Sequence, residues 1–262
     1  MTRSGAAALL MLAVLLVHPP TAAAADGYLP KGGAPDTLAI LPPPPKPGSG
    51  VDTDDHQAFR DTRPLEGSPR WSMAINDVSQ TPEAAFLDFA CSLGVTLDDG
   101  RAPVLSNLFS RVGKDARQVV DPPKDHYARH RPYLDQKGAI CVEASPSLAA
   151  SPSYPSGHAT LSWTWGLILA ELAPDRATLI LSRARAYGES RVVCGVHYPS
   201  DIESGRANGS ILVAALHSSA EFRADMDKAR AEVEAARKAG GGVEPPAGQC
   251  KVEQDAEATR PW

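Results

Sequence analysis

The sequence predicts an all-α protein with a single helical domain, and three observations support this fold class. Apolar residues recur with helical spacing in several segments, whereas strand patterns are scarce and no hairpin signal separates alternating runs. Hydrophobic residues make up 43% of the chain, which is enough to bury a core and excludes global disorder. The length of 262 residues suits one large domain or two small ones, and no internal repeat is present.

Residues 1–25 have the composition of a cleaved secretory signal. Arg3 precedes a short apolar run, and Ala22–Ala25 supply an Ala-x-Ala cleavage site. The run is shorter than the roughly 20 residues that a membrane span needs, so an uncleaved anchor is the less favoured alternative. We therefore expect a periplasmic or secreted protein, and no later segment is predicted to span a membrane.

Residues 26–50 contain seven of the 24 prolines and are expected to form an extended arm without regular structure. A disordered linker is the alternative, but Leu38, Ile40 and Leu41 favour docking of part of the arm on the domain. The helical domain is expected to span residues 51–223. Residues 224–262 are expected to form a charged helix and a flexible C-terminal tail.

The helices of the domain are predicted from their start and stop signals. Thr81–Glu83 supplies an N-cap, a proline at the first helical position and an acidic first turn, and Gly94 supplies the stop. The next helix begins at Pro103 and is expected to end before Pro122, because proline breaks helical hydrogen bonding. The remaining helices, separated or opened by Pro174 and Pro199, are expected at residues 157–172, 175–187, 199–218 and 219–238.

Charge and cysteine content limit the partners of the protein. The net charge of −5 leaves no basic excess for nucleic acid or anionic lipid. Four cysteines in an exported chain predict two disulfides, and all three pairings of Cys91, Cys141, Cys194 and Cys250 are open. A zinc site is disfavoured because the sequence has no Cys-x-x-Cys pair. The oligomeric state, including a homo-oligomer, is left open.

The first of three chemical clusters contains Lys124 and Arg131, followed by Pro132. If this segment is helical, the two cations share one face and suit an anion with several oxygens. The alternative is a solvated basic turn.

The second cluster, Ser156-Gly157-His158, precedes a predicted helix. Free N–H groups at a helix start favour an anion, and His158 beside that anion can donate a proton to it. The alternative is a capping serine with a buried histidine behind it.

The third cluster contains Arg191, His197 and Asp201. Four residues separate the imidazole from the carboxylate, so a hydrogen bond between them can fix the tautomer and leave the other ring nitrogen as a nucleophile. A helix cap near a structural histidine is the alternative. Together the clusters supply cations, a nucleophile and an acid for phosphoryl transfer without a metal or another cofactor. The sequence has no carboxylate cluster of the kind that holds paired metal ions.

The motifs Lys-x6-Arg-Pro, Pro-Ser-Gly-His and Ser-Arg-x5-His-x3-Asp resemble the tripartite signature of the type-2 phosphatidic acid phosphatase superfamily, which is shared with vanadium-dependent haloperoxidases. Within that superfamily the chain is similar to the secreted class A bacterial non-specific acid phosphatases, from about Tyr28 to about Arg223. The segments Leu41–Pro45, Gly67–Trp71 and Gly188–Gly195 carry this closer similarity. The eight matching signature positions are Lys124, Arg131, Ser156, Gly157, His158, Arg191, His197 and Asp201.

The resemblance implies a phosphatase with an all-helical core that hydrolyses a broad range of small phosphate monoesters in weak acid. His197 would attack phosphorus, Asp201 would orient it, and His158 would protonate the leaving alcohol. The phosphate oxygens would be held by Lys124, Arg131, Arg191, Ser156 and the Gly157 amide. Transfer of phosphate to alcohols is left open.

Other activities remain as alternatives at this point. A lipid-phosphate phosphatase or a vanadium-dependent haloperoxidase would use the same pocket, and a phosphoester-binding module would need no nucleophile. Tyr133 and Tyr154 could line the pocket or serve in packing. A disulfide at Cys194, between Arg191 and His197, would brace the loop between them.

Overall fold

The computed structural model describes residues 26–239, 245 and 247–259. These residues form α-helices and short 3-10 helices with no β-strand among them, which confirms the predicted all-α class. The expected signal, residues 1–25, lies outside the described residues. Within the described part of the chain, no helix is long and apolar enough to cross a bilayer.

The helices predicted at residues 157–172 and 199–218 correspond to α9 and α11 of the structure. In chain order the α-helices are α1 Thr37–Ile40, α2 Gly50–Thr62, α3 Pro69–Asn76, α4 Pro82–Asp88, α5 Ala90–Leu93, α6 Pro103–Tyr127, α7 Pro132–Asp135, α8 Pro146–Ala150, α9 Gly157–Leu172, α10 Ala177–Val193, α11 Pro199–Leu216, α12 Ala220–Ala239 and α13 Ala247–Ala258. The 3-10 helices are Arg63–Leu65 and Pro174–Arg176.

The Pro-rich arm docks along α6. The Tyr28 N–H donates to the Asp115 carboxylate at 2.7 Å, and the Thr37 hydroxyl donates to the Val119 carbonyl at 2.8 Å. Leu41 is buried, as expected for a docked arm, whereas Ile40 is 54% exposed. The prediction of no regular structure is wrong for α1, a proline-free turn within the arm.

Helix α6 continues through Pro122 and Pro123, so its predicted end before Pro122 is wrong. Pro123 has no N–H to donate to the Val119 carbonyl four residues earlier, and an unpaired buried carbonyl is costly. Two side chains replace the missing donor, because Thr37 and Asn208 both donate to that carbonyl at 2.8 Å. Tertiary contacts therefore support the last turn of α6, which leads into the first chemical cluster.

The core lies between α6, α9 and α10, with α11 and α12 closing it. Trp165 of α9 is 1% exposed and stacks on Phe109 of α6 with 5.4 Å between ring centroids. Tyr187 of α10 meets the same indole edge-on at 6.4 Å, and Phe222 of α12 is also fully buried. These contacts fix the relative positions of the helices that carry the second and third clusters.

Helices α9 and α11 approach each other closely through glycine. A Cβ atom at Gly205 would lie 2.7 Å from the Ser156 carbonyl oxygen, and one at Gly209 would lie 2.7 Å from the Thr160 carbonyl oxygen. Only glycine permits this backbone approach. It places the start of α11 beside the start of α9, where the Ser156 N–H donates to the Asp201 carbonyl at 3.0 Å.

Helix α10 extends to Val193, beyond the end predicted at residue 187. Gly188 is a packing position inside the helix, because a Cβ atom there would already lie 3.4 Å from the Ala159 Cβ atom. The turn comes later, at Gly195, which has a φ of 80°. Arg191 is therefore presented from a helix.

The expected flexible tail contains a second C-terminal helix, so that part of the prediction is wrong for α13. A disulfide joins Cys250 of α13 to Cys91 of α5, and Ala256 is 3% exposed. The helix predicted at residues 219–238 corresponds to α12. The sequence pattern missed α13 because its few apolar residues form no continuous stripe.

Candidate active site

The three sequence clusters meet where α6, α9, α10 and α11 begin or end. Lys124 lies in the last turn of α6, but the helix stops at Tyr127 and Ala128 adopts a left-handed conformation. Arg131 is the N-cap residue of α7. The segment is not one continuous helix, so the two cations do not share a helical face. A turn between two helices brings them to the same site, where burial and then the charge of Arg131 lower the pKa of Lys124.

His197 is held by Asp201, as predicted from their spacing. The imidazole is 2% exposed, and its Nδ1 atom lies 3.3 Å from Asp201 Oδ2. The same carboxylate oxygen accepts the Tyr198 N–H at 2.8 Å. An acceptor at Nδ1 favours the proton on that nitrogen, so Nε2 carries the lone pair. The Arg131 guanidinium approaches Nε2 at 3.2 Å.

His158 has a different partner. Its Nε2 atom lies 3.1 Å from the Val78 carbonyl oxygen, which can only accept. Nε2 therefore carries a proton, and Nδ1 is the nitrogen available for proton exchange. The pKa of His158 lies well below its usual value because of burial and then the charge of Arg191.

Ser156 and Gly157 form the start of α9. The Ser156 hydroxyl accepts the Ala159 N–H at 3.3 Å, which is the ordinary capping role weighed as an alternative. Gly157 is the first helical residue, and N–H groups of a first turn have no partner within the helix. The helix start thus combines a hydroxyl with a region that favours negative charge.

Arg191 has buried hydrogen-bond donors without partners. Its side chain is buried, yet the guanidinium atoms Nε and Nη1 have no hydrogen-bond partner in the described part of the chain. By contrast, Arg131 donates to the Ser151 carbonyl at 2.8 Å and the Val196 carbonyl at 2.9 Å. Buried donors without partners are costly, so this arrangement suits an anionic ligand with several oxygens.

The charges at the site are unbalanced towards positive. Burial lowers the pKa of Lys124 to about 8 and that of Arg191 to about 10. Burial, and then the charges of Arg131, Lys124 and Arg191, lower the pKa of His197 well below its usual value. A bound anion would offset this mutual repulsion.

Arg129 is a residue of the site that the sequence did not single out. Its guanidinium donates to Asp201 Oδ1 at 2.6 Å and to Asp55 Oδ2 at 2.8 Å, and it lies 4.2 Å from the Tyr198 ring centroid. The basic segment around Arg129 was visible, but nothing in its spacing indicated an ion pair with Asp201. Asp55 belongs to α2, far away in sequence.

The tyrosines beside the motifs have packing contacts. Tyr154 is 1% exposed, and its hydroxyl bonds to the Ser204 hydroxyl at 2.6 Å and to the Pro42 carbonyl. These contacts favour the packing role for Tyr154, while Tyr133 is half-buried beside a second hydrophobic cluster.

A disulfide lies next to the site. It joins Cys141 to Cys194, and the Cys141 N–H donates to the Cys194 carbonyl at 3.1 Å. Among the three open pairings, the structure thus has this one together with Cys91–Cys250. Within the described residues no group of three or more His, Cys, Asp or Glu side chains is placed to hold a metal ion.

The sequence profile of the PAP2 superfamily matches residues 104–224. An acid phosphatase of Zymomonas mobilis subsp. mobilis is 41% identical over 222 residues, covering 84% of this chain and 83% of the relative. This chain belongs to the PAP2 superfamily.

Two further PAP2 relatives bear the name non-specific acid phosphatase. The protein from Providencia stuartii is 33% identical and covers 78% of this chain and 84% of its own. That from Salmonella typhimurium is 31% identical and covers 74% of this chain and 78% of its own. The comparisons confirm the resemblance inferred from the three motifs and the expected enzyme class, acid phosphatase. The match to the PAP2 profile includes all eight signature positions but neither Asp55 nor α13.

Proposed function

We propose that this PAP2 protein is an exported acid phosphatase that hydrolyses a broad range of phosphate monoesters through a phosphohistidine on His197. The observation that carries the proposal is the buried Arg191 guanidinium, which lacks partners for Nε and Nη1 in the described chain. It belongs to the same cationic site as the Asp201-oriented imidazole. A phosphate group satisfies the free donors and presents an electrophile to that imidazole.

Binding of the phosphate rests on three cations and a helix start. Lys124, Arg131 and Arg191 offset the charge on the non-bridging oxygens, and the effect is strong because the site is buried. Ser156 and the Gly157 N–H supply hydrogen bonds at the positive end of α9. These groups would contact the phosphate, which all phosphate monoesters share, and we therefore infer a broad substrate range.

In the first step His197 Nε2 attacks phosphorus and the bond from phosphorus to the ester oxygen breaks. His158 gives its proton to that oxygen, so the alcohol leaves neutral. The Asp201 carboxylate stabilises the imidazolium that forms, through the contact at Nδ1.

In the second step water attacks the phosphohistidine and the bond from phosphorus to Nε2 breaks. His158, now neutral, accepts the proton of the water and returns to its starting state. An alcohol in place of water would give phosphate transfer by the same chemistry. The two steps need no metal ion.

The two imidazoles place opposite demands on the pH, because His197 must be neutral and His158 must be protonated. Both imidazoles have pKa values well below 6.5, so His197 stays neutral at pH values where an unperturbed histidine would be charged. His158 must be protonated, which becomes harder as the pH rises. We expect kcat/KM to reach its maximum in acid and to fall as the pH rises towards neutrality.

Export is proposed from residues 1–25 and is supported by the two disulfides, which persist in oxidising compartments.

Hydrolysis of p-nitrophenyl phosphate from about pH 4 to about pH 8, with chelator present, tests the proposal. The parent should be active in acid, His197→Ala should lose nearly all turnover, and vanadate should inhibit as a pentacoordinate analogue. His217→Ala, at a half-exposed histidine that pairs with Glu171, is the matched control and should keep its activity. A folded but inactive parent would contradict the enzyme, and loss of activity with chelator would contradict the metal-free mechanism.

The same preparation separates the alternatives. Halide oxidation with peroxide after vanadate loading would indicate a haloperoxidase. Turnover of lipid phosphates in micelles with none of soluble esters would indicate a lipid-phosphate phosphatase. Binding of phosphate without turnover would indicate a binding module.

A further inference from the structure

A buried ion pair lies beside the site, in a part of the chain that includes residues before the PAP2 match. Asp77 follows α3 and is fully buried, and Arg183 of α10 is 2% exposed. The Arg183 guanidinium donates to both carboxylate oxygens of Asp77, at 2.5 and 3.2 Å. The Ser190 hydroxyl donates to the same carboxylate and accepts from Arg70 at 2.9 Å. The pair is therefore fixed by several independent contacts.

Residues adjacent to this ion pair belong to the site. Val78 follows Asp77 and provides the carbonyl that accepts from His158 Nε2 at 3.1 Å. Ser190 immediately precedes Arg191 along α10. The ion pair is thus one peptide unit away from the carbonyl that contacts the His158 ring.

The backbone at Val78 lies in the segment between α3 and α4, where no regular structure fixes it. The Val78 N–H donates to the Ile75 carbonyl at 3.2 Å, and the Tyr187 hydroxyl donates to the Ser79 carbonyl at 2.5 Å. The bidentate contact between Asp77 and Arg183 is charge-assisted and buried, so it is the strongest of these anchors.

We propose that Asp77 and Arg183 are positioning residues for His158, acting through the Val78 carbonyl. The carbonyl keeps the proton on Nε2 and so directs Nδ1 to the leaving oxygen. If the ion pair is weakened, the carbonyl shifts and proton transfer to the leaving alcohol becomes less efficient. The inference rests on the proposed function, in which His158 is the general acid.

The dependence of kcat/KM on the leaving group tests this role, because that ratio reports only the steps up to formation of the phosphoenzyme. p-Nitrophenol leaves readily without a proton, whereas the alkoxide of an alkyl ester such as glycerol 2-phosphate does not. General-acid catalysis contributes about 10²–10⁴-fold. His158→Asn should therefore lose far more activity on glycerol 2-phosphate than on p-nitrophenyl phosphate.

Asp77→Asn keeps the size of the side chain and removes the charge. Its loss of kcat/KM should be roughly tenfold greater on glycerol 2-phosphate than on p-nitrophenyl phosphate, a bias in the same direction as that of His158→Asn. Ser190→Ala, which removes one hydrogen bond to Asp77, should show a smaller bias and serves if Asp77→Asn does not fold. Asp225→Asn is the control, because this buried carboxylate accepts from Tyr28 at 2.9 Å away from the site. It should affect both esters equally.

Equal losses on both esters in Asp77→Asn, or in Ser190→Ala if only that variant folds, would overturn the positioning role and leave a purely structural one. Absence of bias in His158→Asn would instead contradict His158 as the acid of the proposed function. The two failures are therefore distinguishable.

Discussion

The two imidazoles of the site differ in the acceptor that contacts each ring. His197 faces a carboxylate, which becomes a better partner as the ring gains positive charge in the proposed attack on phosphorus. His158 faces a carbonyl, which fixes the tautomer without adding a full negative charge. This difference suits a nucleophile in the first case and an acid that releases its proton in the second.

The pKa of Asp201 lies above its ordinary value, although Arg129 opposes the shift. Burial raises the pKa of Asp201, whereas the charge and hydrogen bond of Arg129 lower it. Arg129→Gln should therefore raise the pKa of Asp201, so that the carboxylate becomes protonated at the acid end of the working range. We expect at least a tenfold loss of kcat/KM below about pH 5, with a smaller loss near neutrality.

The pH profile of kcat/KM for p-nitrophenyl phosphate measures this effect. Arg101→Gln is the control, because Arg101 pairs with Asp98 on an exposed surface. If kcat/KM of Arg129→Gln fell at low pH in the same way as that of the parent, Arg129 would not set the charge of Asp201.

At the level of helices, the sequence predicted helix boundaries best where a single local signal determines them. Ser156 and Pro199 mark the starts of α9 and α11 without help from the rest of the chain. Prediction failed where tertiary contacts decide: Asn208 and Thr37 permit prolines inside α6. All eight signature residues could be named, since the motifs specify them. The partner of His158 could not, because a backbone carbonyl carries no sequence signal.

The Cys141–Cys194 disulfide links the segment after α7 to the turn that carries His197. Replacing both cysteines with serine should reduce stability by about 4 kcal/mol in the chain-entropy account of the enclosed loop. It should also lower activity, because Arg131 donates to the Val196 carbonyl in the same turn. Urea unfolding and initial rates measure the two effects.

The matched control replaces Cys91 and Cys250, whose disulfide tethers α13 outside the site. That variant should lose stability and keep most of its kcat. If loss of the Cys141–Cys194 disulfide changed neither stability nor activity, the bracing role would be refuted.

Across the whole molecule, the local charge at the site is opposite in sign to the net charge of the chain. The chain carries a net charge of −5, yet Lys124, Arg131 and Arg191 converge on one buried site. Acidic groups concentrate elsewhere, notably where α13 packs near Arg183. Net charge therefore gave no hint of an anion site.

The acidic cluster under α13 contributes stability that is greatest in acid. Burial raises the pKa of Asp88 from 3.8 to about 7 and that of Glu253 from 4.5 to about 7, despite the opposing charge of Arg183. Asp77 and Glu257 add further acid to the same cluster. Between the ordinary and the raised pKa values, the folded protein binds more protons than the unfolded chain. The stability that these two carboxyl groups contribute is therefore full below their ordinary pKa values and is lost as the pH rises through about 7.

Glu253→Gln should make the fall in melting temperature between acid and neutral pH shallower. Glu234→Gln, at a half-exposed side chain of α12, is the control and should leave the slope unchanged. A Glu253→Gln profile parallel to that of the parent would contradict this origin of the pH dependence.

Trapping a covalent bond between phosphate and His197 tests the proposed phosphohistidine most directly. His158→Ala lacks the proposed base for hydrolysis of the phosphoenzyme, so it should accumulate label from [³²P]p-nitrophenyl phosphate after rapid mixing and an alkaline quench. Peptide mapping should find close to one equivalent of label on His197 and none in the double variant that also carries His197→Ala. Label on another residue, or none during productive turnover, would contradict the mechanism.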